Sequence, residues 1–92
     1  MAVRATRVTA TGTVLAGKGR VVGVSLVCGA TAGSIVLRDN GAGGTTRLEL
    51  DTAAGATLTR DVPIKGGIHF GTDIHATLTN VTSLTVFYDT DG

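Results

Sequence analysis

With 92 residues, the chain is long enough for one domain and too short for two. Eight Lys/Arg against seven Asp/Glu leave a net charge of +1. These charges are spread along the chain, so neither a nucleic-acid-binding patch nor an acidic tail is present. Three aromatics and no Trp argue against the stacking platforms that bind single strands or sugars, and one cysteine rules out an intrachain disulfide.

Short Val/Leu/Thr-rich runs recur along the whole chain, separated by Gly-rich or Asx-Gly breaks. No stretch sustains a helical period, so the predicted class is all-β. Val3 to Val14 alternates loosely and reads as an edge strand or an extended arm, followed by a turn at Ala16-Gly17-Lys18-Gly19. The segment 1–13 is therefore set apart from a sandwich domain over 14–92. Arg20 to Cys28 is the strongest strand. Its alternation places Val22, Val24, Leu26 and Cys28 on one face, with Val21, Gly23, Ser25 and Val27 on the other.

Ser34 to Arg38 is a short strand with Ile35 and Leu37 inward. Asp39-Asn40-Gly41 is a strong turn signal, because Asn and Gly tolerate positive φ. Thr45 to Asp51 alternates cleanly, with Leu48 and Leu50 against Arg47, Glu49 and Asp51. Thr57 to Val62 alternates again and is expected to stop at Pro63, which cannot donate to a ladder. Ile68 to Phe70 is a short strand. Ile74, Ala76 and Leu78 face in, while Asp73, His75, Thr77 and Thr79 face out. Leu84, Val86 and Tyr88 close the pattern with Phe87 on the opposite face. The expected architecture is a single-domain antiparallel β-sandwich or jelly-roll-like barrel of seven to nine short strands.

Candidate chemistry is sparse. His69, Asp73 and His75 are the one grouping of metal-ligand types, and two exposed strand histidines near a turn explain them better than zinc does. Cys28 sits in the most apolar run, where a thiol behaves as a small hydrophobe. Gly17-Lys18-Gly19 and Gly41 to Gly44 lack the longer pattern and the helix of a phosphate loop. Met1 to Thr13 has no apolar core of signal-peptide type, and no apolar run reaches a membrane span. No catalytic residue, metal ligand, cofactor, nucleic-acid contact or membrane contact is assigned, and a non-enzymatic binding or structural module is expected.

A chain this short buries only about 60–65% of its unfolded surface. Its core is mostly Val, Ala, Leu and Ile, yet 42% of its residues are hydrophobic. Surplus apolar surface is therefore expected to be covered by other copies or by a larger partner. Val21, Val27 and Phe87, apolar on the secondary faces, are the candidate inter-subunit contacts.

One ordered set of features is more specific. A strand over Val21 to Cys28 is followed by Gly33-Ser34-Ile35-Val36-Leu37-Arg38-Asp39-Asn40-Gly41 and by Leu48-Glu49-Leu50. Val62-Pro63-Ile64-Lys65-Gly66-Gly67-Ile68 and Leu84-Thr85-Val86-Phe87-Tyr88 complete it. That order, over roughly residues 20–89, resembles small β-sandwich virion proteins of tailed bacteriophages, notably capsid decoration (cement) proteins. The resemblance implies a homotrimer on the capsid surface, assembled in the host cytoplasm, that binds the major capsid protein and staples neighbouring subunits. It also implies that the N-terminal arm, with Val3, Arg4, Arg7 and Val8, makes the partner contact. A tail or head-fibre adaptor and a small ligand-binding β-module are the alternative expectations.

Overall fold

A computed structural model describes residues 3–62 and 67–90, and nine strands are found among them. These are β1 (Val3–Val8), β2 (Gly12–Leu15), β3 (Gly19–Cys28), β4 (Gly33–Asp39), β5 (Thr45–Thr52), β6 (Thr57–Asp61), β7 (Ile68–Phe70), β8 (Ile74–Thr79) and β9 (Val81–Asp89). All pairings are antiparallel. One sheet runs β1-β9-β3-β6, with β7 beside β6 along the same strand β3, and the other runs β2-β8-β4-β5.

The pairings nest. β4 and β5 form the innermost hairpin, β3 pairs with β6 and β7, β2 with β8, and β1 with β9. Successive nested pairs alternate between the two sheets, and the pairings β3·β9 and β4·β8 seal each sheet. The chain is thus the expected antiparallel β-sandwich of two packed sheets, and a long hairpin wound in this way gives it the jelly-roll strand order.

Two asparagines provide the tight reversals. Asn40 and Gly41 have φ of 77° and 76°, the consecutive positive values of a hairpin turn between β4 and β5. Asn80, at φ 56°, joins β8 directly to β9. Its Nδ2 donates to the Ala32 carbonyl at 3.3 Å, holding the neighbouring loop.

The core lies between the sheets. Val21, Val24, Leu26, Phe70, Leu84 and Val86 come from one, and Ile35, Leu37, Ile74 and Ala76 from the other. Alternation along β3 departs from expectation at its start. The register with β9 shifts between Val21 and Gly23, a bulge that puts both Val21 and Val24 inward. Val21 is fully buried in the chain's own core, so it offers a second copy no surface and is withdrawn as an inter-subunit contact.

Val3–Val8 is also part of the sandwich. β1 pairs residue by residue with β9, from Val3↔Asp89 to Val8↔Leu84. The Thr6 and Tyr88 hydroxyls lie 2.7 Å apart in a hydrogen bond. After a break at Thr9–Thr11 the chain crosses to the second sheet as β2. That crossing is pinned where the Leu78 N–H donates to Thr11 Oγ1 at 3.0 Å. Val3–Val8 is thus the edge strand of the two readings, and a boundary at residue 13 falls inside β2. Pro63, expected to end β6, lies outside the described residues.

Candidate interaction surface

Two of the carboxylates singled out in the sequence, Asp39 and Asp73, hold the fold together. Asp39 ends β4 and is buried. Its carboxylate accepts from the backbone N–H groups of Gly71 (3.0 Å), Thr72 (2.9 Å) and Asp73 (3.4 Å). Asp73 reciprocates, with Oδ1 accepting from the N–H groups of Asn40 (2.9 Å) and Gly41 (3.0 Å). Two carboxylates thus tie the β4–β5 turn to the β7–β8 loop. The N–H groups of Gly71 and then Thr72 hold the Asp39 carboxyl below its ordinary value of 3.8, more than burial raises it. Arg47 Nη2 stands 3.8 Å from Asp39 and adds a weaker pull in the same direction.

His69 and His75 are on different sheets, on β7 and β8. No three His, Cys, Asp or Glu side chains among the described residues gather to hold a metal. His75, expected to be exposed, is buried. It sits between Thr13 on β2 and Arg38 on β4, and its Nδ1 has no hydrogen-bond partner among the described residues. Central position in the sheet explains the burial, because both neighbouring strands shield an outward side chain. Cys28 is buried, and its thiol donates to the carbonyls of Thr31 (2.9 Å) and Asn80 (3.4 Å).

Apolar surface remains in two places. The first is the outer face of the β1-β9-β3-β6 sheet. There Ala5, Phe87 and Gly23 stand in one cross-strand row. The ring of Phe87 lies over Gly23, where an added Cβ would be 3.7 Å from Cδ2. Val3 (52% exposed) and Val27 (40%) are the exposed large hydrophobics among the described residues. Of the two other candidate inter-subunit contacts, Val27 is exposed on this face and Phe87 is half-buried. The four residues assigned to the arm divide between faces. Val3 and Arg7 lie in the outer rows opposite Asp89 and Thr85, whereas Arg4 and Val8 lie opposite the inward residues Tyr88 and Leu84.

The second place is the open flank, where β5 ends one sheet and β6 and β7 edge the other. A cleft of about 330 Å³ opens here, walled by Val24, Leu48, Leu50, Val62 and Ile68, with Arg60 and Asp61 at its rim. Sequence reasoning found these as alternating strand residues but did not unite them. Nothing in Thr45–Asp51 or Thr57–Val62 says that the two strands are edges of facing sheets. The clean apolar alternation of Leu48 and Leu50 was the available signal. Comparison of the chain with family models, with curated proteins and with solved structures returns no match in any of the three.

Proposed function

We propose that this protein is a non-enzymatic structural component of a phage virion, a decoration protein that binds the outer head shell and stabilises contacts between major capsid subunits. The observation that carries the reading is the flank where β5 meets β6 and β7, where Leu48, Leu50, Val62 and Ile68 surround an apolar cleft that no other strand among the described residues covers. Apolar side chains left at an unclosed sheet edge are suited to docking on a larger body. The jelly-roll winding is used by viral capsid domains, and also by lectins and cupins, so it supports the reading by analogy alone. In this role the outer-face residues Val27 and Phe87 serve contacts between copies in a homotrimer, and the flank serves the shell. Many weak contacts on a repeating lattice add up through avidity, so each interface need not be large.

A ligand-binding module is less well supported. Phe70 is fully buried and Phe87 lies on the outer face, so no aromatic lines the cleft. The test is sedimentation of the purified protein with undecorated phage heads, using purified tails as the comparison. Saturable binding to heads at a fixed number of copies per shell is the expected result. Binding to tails alone moves the protein to an adaptor role, and binding to neither overturns the virion reading. Light scattering should give three times 9.2 kDa for the free protein.

A further inference from the structure

The four edges of the sandwich are not equally guarded against pairing with another strand. β1 carries Arg4 in its inward row, opposite Tyr88, and β6 carries Arg60 in its inward row, opposite Val24. β2 has only four residues and an irregular register between Thr13 and Leu15. Inward charges, shortness and irregularity are the usual devices that keep an edge from recruiting a strand. β5 has eight residues, and Leu48 and Leu50 on the cleft side are apolar. Its register shift with β4 lies at Arg47, which leaves Leu48–Thr52 regular against Leu37–Gly33. Among the described residues no strand pairs with its other edge.

The solvent side of that regular stretch is acidic. Glu49 and Asp51 are exposed, and their neighbours across the ladder are Val36 and Ser34, which carry no charge. Arg47, just beyond, is drawn towards Asp39. This charge pattern disfavours a second copy of the chain. Antiparallel strands oppose residues of the same face, so a twofold pairing within the regular stretch sets Glu49 against Glu49 or Glu49 against Asp51. The same pattern favours a strand with the opposite charges.

We infer that the free edge of β5 is a strand-addition site for an extended segment of a partner protein in which apolar residues alternate with Lys or Arg. The apolar residues of the segment stand beside Leu48 and Leu50 and cover the cleft, and its cations stand beside Glu49 and Asp51. Main-chain hydrogen bonds supply the affinity, and the two rows supply the selection. The inference extends the docking reading above, since it rests on that reading only for placing the segment in a shell protein.

The test uses the full-length protein and two short blocked peptides, one alternating lysine with valine and one alternating glutamate with valine. Amide NMR titration locates the site and gives the affinity. The lysine–valine peptide should bind at least about tenfold tighter, from two cross-strand charge pairs turned from repulsive to attractive. Its shifts should centre on Leu48–Thr52. The double variant Glu49→Lys with Asp51→Lys, at exposed positions and checked for an unchanged melting curve, should reverse the preference. Should the variant melt early, the single variant Asp51→Lys should narrow the preference by about threefold or more.

Shifts centred elsewhere, or a preference that survives charge reversal, would overturn the inference. So would self-association of the wild type that disappears in the double variant, because a second copy would then be the occupant. Heads that bind the wild type and the double variant equally also overturn it while leaving the virion reading intact. Peptide selection at β5 without any head binding does the reverse.

Discussion

The Thr6–Tyr88 hydrogen bond separates an N-terminal arm from an N-terminal strand. The two hydroxyl oxygens are 2.7 Å apart, Tyr88 is buried, and the residues are bonded across the ladder that joins β1 to β9. Thr6→Val keeps the β-branched shape and removes the hydroxyl, leaving the Tyr88 hydroxyl without its partner. A buried group left unsatisfied costs about 1–3 kcal/mol. Thr6 is itself half-buried, so water reaches part of the site and the low end, about 1 kcal/mol, applies. For a domain of this size that lowers Tm by about 4–8 °C.

Tyr88→Phe breaks the same bond from the other side and should cost a similar amount. The double variant should cost less than the sum of the two, by about 1 kcal/mol, because neither hydroxyl is then orphaned. The assay is thermal and urea unfolding of all four proteins, with equal m-values required. A Tm for Thr6→Val within about 1 °C of the wild type would refute the reasoning and return residues 3–8 to the status of an arm. If the strand is confirmed, deletion of residues 2–12 will destabilise the sandwich, so loss of binding in such a deletion would say nothing about contact with a shell.

Other consequences follow from particular residues. Val21→Ala should cost about 2 kcal/mol, against less than about 1 kcal/mol for the half-buried Val22→Ala, and urea unfolding of both checks the bulge. Gly44→Ala should cost about 2–3 kcal/mol, because its Cβ would run into the carbonyl oxygen of Asp39; an unchanged Tm would deny that close approach. Because folding lowers the Asp39 carboxyl below 3.8, its contribution is fully present above 3.8 and is lost as the pH falls through the lowered value. The Tm gap between wild type and Asp39→Asn should therefore narrow on acidification below about pH 4, and a gap independent of pH from 2 to 6 would contradict the backbone hydrogen bonds as its cause.

Much of the fold was legible because alternation with a period of two is a local property. Ile35 and Leu37, Leu48 and Leu50, Ile74 and Ala76, and Leu84, Val86 and Tyr88 each declared an inward face, and each faces inward. Asn40-Gly41 declared a turn with positive φ for the same kind of reason. The reading failed where a neighbouring strand decides. The bulge that turns Val21 inward exists only in its pairing with β9. His75 alternates like an exposed residue, but lies on a central strand whose neighbours cover it. Asp39 reads as a turn residue, and only the approach of the β7–β8 loop turns it into the cap for three N–H groups.

The sequence by itself determined that this chain is all-β, where most of its strands lie and which side of each is apolar, since strand and turn preferences act over a few neighbouring residues. Tertiary structure alone decided the jelly-roll order, the inclusion of Val3–Val8 as an edge strand, and the meeting of β5 with β6 and β7 at an open flank. Pairings such as Val3↔Asp89 join residues from opposite ends of the chain. Their choice depends on closing the whole wound hairpin around one core, which no short stretch of sequence encodes.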